Sequence, residues 1–222
     1  MKRRDCLRRA ATAAGVSATG CVSALGGDGG GAENAYLEPP EDVHDGAEYP
    51  TYGESVPDIE LLDVFTDDYV STQQDDEYLM TFFYSFCPTE CIWIISALTH
   101  AEASVVERGD EPPRVLATTF DPARDSSERL LDYAERMGIE EANWSLLRPE
   151  NEERANEVVD GEFGVSFEKR SSGGEGGIYD FLHDTLILLV NEDGYVERTY
   201  TNDEPDPDLI ASDLADLRDA QA

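Results

Sequence analysis

At 222 residues the chain has room for one domain with extensions, and its balance of 40% hydrophobic and 29% charged residues is that of a sequence able to bury a core. Sixteen Lys and Arg stand against 49 Asp and Glu, a formal net charge of -33, which repels phosphate backbones and anionic headgroups and excludes nucleic-acid binding as a function class. The acids are spread along the whole length and nowhere follow EF-hand ligand spacing, so they read as a solvated surface rather than as calcium sites.

That spread resembles haloarchaeal proteins, in which concentrated salt screens the self-repulsion of an acidic surface. The first 20 residues reverse the sign, with five Lys or Arg and one Asp. Arg3 and Arg4 in "RRDCLRR", the small-residue run "AATAAGVSATG" and Cys21 together resemble a twin-arginine lipoprotein signal; a plain basic tail is the alternative. Residues 1–20 are therefore expected to be removed and Cys21 to carry lipid, holding the chain on the extracytoplasmic face of the cell membrane. The run is too short and too rich in Ala and Gly for a membrane span of about 20 apolar residues. With Cys6 discarded and Cys21 lipidated, Cys87 and Cys91 are the remaining thiols, in a compartment where disulfides persist.

Residues 21–52 ("GGDGGGAENAYLEPPEDVHDG" and its flanks) hold too little apolar content to order themselves and read as a flexible acidic tether. Residues 53–222 read as the folded domain. Within it "EYLMTFFYSF" (77–86) has the length of a buried strand, and a helix with one apolar face follows over about 91–108. "RVLATTF" (114–120) predicts the next strand. "DSSERLLDYAERMG" predicts a helix with Asp125 or Ser126 as its cap and Gly138 as its stop. "NEERANEVVDGEFG" predicts a short helix, and "DTLILLV" (184–190), "NEDG" and "YVERTYT" a strand, a turn and a return strand. In the last segment Leu209, Ile210, Leu214 and Leu217 fall on one helical stripe. The order predicts an α/β, thioredoxin-like fold with a mixed central sheet flanked by helices.

Cys87 and Cys91, in "FCPTEC", stand where the first of these strands gives way to its helix. Free N–H groups and the positive end of the helix dipole favour thiolate there. If residues 87–91 are helical, the two side chains share one face at a separation that suits either a disulfide or a shared soft metal ion. The sequence has three histidines. His44 lies in the tether and His100 falls mid-helix, where a packing or solvated role is the ordinary one. His183 stands at the mouth of the strand 184–190 behind "SSGGEGGIYDFL", a stretch whose flexibility would let the ring approach or leave the thiols. Two sulfurs and one imidazole suit Cu(I), and with a fourth weak donor Cu(II), better than a closed four-ligand zinc site. The alternative reading of His183 is a polar cap on a strand.

At these residues the chain resembles the SCO/SenC family of copper-binding, thioredoxin-like proteins that act in cytochrome c oxidase assembly. "VPDIELLDVFTDDYVST" resembles that family's opening strand and hairpin, "FCPTEC" its thiol pair with Pro88 in place, "TTFDPARDSSERLLDYAERMG" its Asp-Pro-x-Arg-Asp segment and helix, and "LHDTLILLVNEDGYV" the segment with its copper histidine. The resemblance implies copper as cofactor, with Cys87, Cys91 and His183 as ligands. It further implies an N-terminal hairpin extension, the copper-site subunit of the oxidase as recipient and a thiol reductant protein as partner. Two positions depart from the family pattern: Ile92 replaces the Pro after the second cysteine, and Leu182 the Asp before the histidine. Asp180 or Asp184 is then expected to orient the ring, and Asp121 to shape the site or simply to end a strand. Two rival functions remain. A thiol-disulfide reductase would use Cys87 and Cys91 as its redox pair without His183. A peroxiredoxin-like peroxidase would need a Pro and a Thr where this chain has Met80 and Tyr84.

Overall fold

The computed structural model describes residues 33–41, 46–171 and 179–222. The expected signal, with Arg3, Arg4, Cys6 and Cys21, lies outside them, as do His44 and the Gly-rich residues 172–178. In chain order the elements are β1 (Glu60–Asp63), β2 (Tyr69–Ser71), β3 (Tyr78–Phe83), α1 (Glu90–Glu107), β4 (Arg114–Thr119), α2 (Ser127–Met137) and β5 (Trp144–Arg148). There follow α3 (Glu152–Ala155), running into a π-helical turn over Asn156–Glu162, then β6 (Phe167–Ser171), β7 (Tyr179–His183), β8 (Ile187–Val190), β9 (Val196–Tyr200) and α4 (Pro207–Gln221).

Seven strands form one mixed sheet in the order β2-β1-β5-β4-β3-β8-β9, while β6 and β7 pair separately as a hairpin. All six residues of β3 are buried, because this strand is central, parallel to β4 and antiparallel to β8. Its successive rings point to opposite faces: Phe82 meets Phe163 at 5.0 Å, and Phe83 stacks on Tyr133 of α2 at 5.4 Å between ring centroids. The sheet is therefore covered on both sides, and the architecture is thioredoxin-like, with β1 and β2 as an N-terminal hairpin extension. In that hairpin Asp63, buried, accepts from Leu146 N on β5 (3.1 Å) and so ties the extension to the sheet edge.

The helix ends follow the sequence. Ser126 caps α2 by accepting from Arg129 N at 3.2 Å, and Gly138 closes it at φ 70°, a left-handed conformation open to glycine. In α4, capped by Asp206, the buried stripe is Ile210, Ala211, Leu214 and Leu217. Leu209, expected on that stripe, is 50% exposed; Ala211 takes the place against the neighbouring helix, where Arg108, the residue that ends α1, donates to its carbonyl at 3.3 Å.

The larger departure concerns residues 21–52. Their described part is strapped to the domain rather than loose. Glu197, fully buried on β9, accepts from the backbone N–H of Tyr36 (2.8 Å) and Leu37 (3.0 Å) and from Asn191 Nδ2 (2.6 Å). Tyr52 donates to the Leu37 carbonyl at 2.5 Å. Further along, Glu48 crosses Gly164 so closely that a Cβ there would lie 1.9 Å from the Glu48 carbonyl oxygen. Apolar composition misses this strap because it is held by main-chain donors on a buried carboxylate. Replacing Glu197 by Ala leaves those donors unpaired, and should lower stability by about 1–3 kcal/mol in chemical denaturation while exposing residues 33–41 to protease.

Candidate metal centre

Past Phe83 the chain leaves the sheet, turns through Tyr84–Thr89 and enters α1 at Glu90. Cys87 donates its N–H to the Tyr84 carbonyl at 3.2 Å, which fixes the turn. Thr89 stands at the N-cap position but makes no side-chain cap, since its hydroxyl goes to the Glu90 carboxylate. Cys87 Sγ does that work instead, accepting from Cys91 N in the first helical turn at 3.4 Å. Cys87 thus lies before the helix and Cys91 inside it. The pair meets across the helix start, not along one helical turn as the spacing suggested. Cys91 is fully buried and Cys87 is 5% exposed.

His183 comes from a different quarter of the sheet. It is the last residue of β7, paired with Phe167 on β6, rather than a loop residue at the mouth of the strand expected over 184–190, which itself starts at Ile187. Aromatic packing holds this hairpin down. Phe167 stacks on Phe120 at 4.9 Å, and Phe181 sets its edge on Tyr84 (5.2 Å) and Phe120 (5.3 Å). Tyr84 and Phe120 in turn flank the His183 ring at 5.8 and 5.3 Å. Polar contacts close the outer side. Arg124 pairs with Asp121 (2.5 Å), donates to the Tyr179 carbonyl (2.8 Å) and lies 3.7 Å from the centre of the Tyr179 ring, whose hydroxyl donates to Asp121 (2.8 Å).

The result brings Cys87, Cys91 and His183 together, with one donor atom of each within 4.8 Å of the others. His183 Nε2 stands 3.9 Å from Cys87 Sγ and 3.8 Å from Cys91 Sγ. Its Nδ1 faces the Asp184 backbone carbonyl at 3.1 Å. That oxygen can only accept, so the proton belongs on Nδ1, and the Nε2 lone pair faces the sulfurs whenever the ring is neutral.

The two thiols differ in acidity. The Cys91 side chain, the helix amide and His183 stabilise the Cys87 thiolate and outweigh burial, holding its pKa down to about 5. Burial pushes Cys91 well up, and the negative neighbour Cys87 reinforces this. For His183 burial alone would lower the pKa, but the hydrogen bond to Cys87 and the Asp184 carbonyl carry it upward. In the metal-free protein the stable arrangement is a Cys87 thiolate beside a Cys91 thiol and a readily protonated imidazole.

His100 is exposed on α1 and outside this group. The ring of His183 is oriented by the Asp184 main chain, not by the carboxylate of Asp184 or Asp180; Asp180 accepts from the Tyr84 hydroxyl. Asp121 both shapes the site through Tyr179 and caps the turn below, accepting the N–H of Arg124 and Asp125 on its carbonyl. From the sequence Asp125 is expected only as a possible helix cap. It is buried and accepts from Ser85 N (3.0 Å), Ser85 Oγ (2.5 Å) and Thr119 Oγ1 (2.5 Å), which pins the turn that carries Cys87. The "DPARD" segment was the available signal, since three charged residues beside a buried strand must each find a partner. Glu90 had no signal beyond its place between the two cysteines.

The SCO1/SenC family model matches residues 65–219, spanning most of the chain. The chain belongs to the SCO1/SenC family. A search of curated proteins returns no match. Among solved structures, ScoI of Arabidopsis thaliana with copper bound superposes with a TM-score of 0.63 at 16% identity, covering 74% of this chain and 98% of that one. A SCO1/SenC family lipoprotein from Bacillus anthracis gives 0.62 at 17% identity over 80% and 99%. BsSco, described as a cytochrome c oxidase assembly protein with a disulfide switch, gives 0.58 at 19% identity over 80% and 98%. At these identities the superpositions establish the shared thioredoxin-like fold.

The asymmetry of the Cys87–Cys91 thiol pair has a direct readout. In the reduced, metal-free protein iodoacetamide should modify Cys87 with a pH midpoint near 5, while Cys91 stays unmodified until far more alkaline pH. Equal alkylation of both thiols at neutral pH, read by peptide mass, would contradict the assignment.

Proposed function

We propose that the protein is a copper metallochaperone that holds its cargo through Cys87, Cys91 and His183 and delivers it to the copper-site subunit of cytochrome c oxidase. The observation that carries this reading is the convergence of two sulfurs and one ring nitrogen, from separate parts of the fold, within 4.8 Å of one another. The spacing supports it. Two donors on one first-row ion, at about 2.3 Å through sulfur and about 2.0 Å through nitrogen, stand about 3.5 to 3.7 Å apart between tetrahedral and trigonal angles. The separations of 3.8 and 3.9 Å here call for only slight closure.

Loading would cost protons: Cys91 must give up its thiol proton and any imidazolium its Nε2 proton, so copper affinity rises with pH. A set of two soft thiolates and one imidazole suits Cu(I). Phe86, Ile92, Trp93 and Leu182 are exposed, and each adjoins or closely follows a proposed ligand in sequence. Together they would offer an apolar surface against which a recipient could exchange ligands stepwise. In this reading the chain is exported in an acidic, salt-adapted form, anchored by lipid at Cys21, and a thiol reductant protein keeps the pair open, since a Cys87–Cys91 disulfide would bar copper.

The unequal thiols favour a second reading, a thiol-disulfide reductase. There the Cys87 thiolate would attack a partner disulfide, and Cys91 would then displace the partner thiol, leaving Cys87–Cys91 oxidised and the partner reduced. His183 separates the two readings. In anaerobic titration of the reduced protein in high salt, the chaperone reading expects one tight Cu(I) per chain, weakened about 10-fold or more by His183→Ala and abolished by Cys87→Ser. Failure to bind copper, with intact disulfide reduction in wild type and His183→Ala alike, would favour the reductase.

A further inference from the structure

One charged side chain at the thiol pair has no part in the reading above. Glu90, the first residue of α1, is half-buried and carries Oε2 3.5 Å from Cys87 Sγ. Its backbone sits between the two cysteines at the helix start, and Thr89 Oγ1 donates to that same carboxylate oxygen, turning it toward the sulfur. An ordinary acidic residue at a helix N-terminus interacts with the dipole through solvent and needs no such aim.

Resting on the copper reading, we propose that Glu90 supplies a fourth, oxygen donor to the Cys87–Cys91–His183 group and thereby makes the site competent for Cu(II) as well as Cu(I). A sulfur and an oxygen held by one ion, at about 2.3 and about 2.1 Å, lie about 3.6 Å apart at a tetrahedral angle, close to the 3.5 Å separation found here. The donor chemistry gives the consequence. Cu(I) is satisfied by soft sulfur and imidazole, whereas Cu(II) favours a larger set with nitrogen and oxygen donors and gains more from an anionic carboxylate. Glu90 lies outside the group whose donor atoms stand within 4.8 Å of one another and approaches it from the Cys87 side, so its flexible side chain, which makes no salt bridge with Lys or Arg among the described residues, has to close on the ion to serve as a donor. Cu(II) would draw the carboxylate in, and reduction to Cu(I) would let it go.

The test compares wild type, Glu90→Gln and Glu90→Asp as full chains, each titrated with Cu(I) and with Cu(II) and examined by electron paramagnetic resonance. The expected result is Cu(II) affinity about 10-fold or more lower in both variants, an altered Cu(II) spectrum and unchanged Cu(I) affinity. Each tenfold loss confined to Cu(II) raises the copper potential by about 59 mV. Glu90→Asp keeps the helix charge and withdraws the oxygen, so a loss there assigns the effect to reach rather than to the dipole. If wild type binds copper and all three proteins share one Cu(II) spectrum and affinity, or if Cu(I) weakens in parallel, the fourth-donor role is wrong. If wild type binds neither ion, the copper reading itself fails and this inference falls with it.

Discussion

Everything at this site depends on the packing of the β6–β7 hairpin against the end of β3. The thiols come from one strand-to-helix turn, and local chain geometry suffices to place them. His183 does not share that turn; it reaches the sulfurs because Phe167 and Phe181 bury their rings against Phe120 and Tyr84. Two of those rings, Tyr84 and Phe120, also flank the imidazole. Apolar burial and ring-edge geometry, about 0.5–1.5 kcal/mol for each such pair beyond its area, thus do the work of a metal-site scaffold. Arg124, held by Asp121 and laid on the Tyr179 ring, closes the outer side of that packing.

The same arrangement explains why the two cysteines are unequal. Cys87 is placed ahead of the helix, where its sulfur takes the Cys91 amide that a capping oxygen would otherwise satisfy. Cys91 lies inside the first turn and is sealed from water. The Cys91 side chain, His183 and the helix amide therefore favour the anion at Cys87, while burial and that neighbouring charge keep Cys91 a thiol. Asp125 belongs to this account because it anchors Ser85, and with it the turn on which Cys87 rides.

The sequence was most informative where one local rule decided the structure. The aromatic run of β3, the Ser126 cap and the Gly138 stop all stand as their residue types require. The thiol pair stands out for the same reason, and its helix begins at Glu90, one residue ahead of the expected 91, so that residues 87–89 lie before it. His183 was singled out, but as a loop residue, because a hairpin built from "FEKRS" and "YDFLH" has weak alternation and is stabilised by rings distant in sequence. The strap at Tyr36 and Leu37 was invisible for a related reason. Its anchor is Glu197, 160 positions from Leu37, and a single acid among 49 carries no mark of being buried.

The central claim is that nitrogen from the hairpin and sulfur from the turn meet on one copper ion. X-ray absorption at the copper edge of the Cu(I)-loaded protein measures this directly. The account predicts two sulfur scatterers at about 2.3 Å and one imidazole nitrogen at about 2.0 Å, with the nitrogen lost in His183→Ala. A first shell of sulfur alone, unchanged by that substitution, would contradict it.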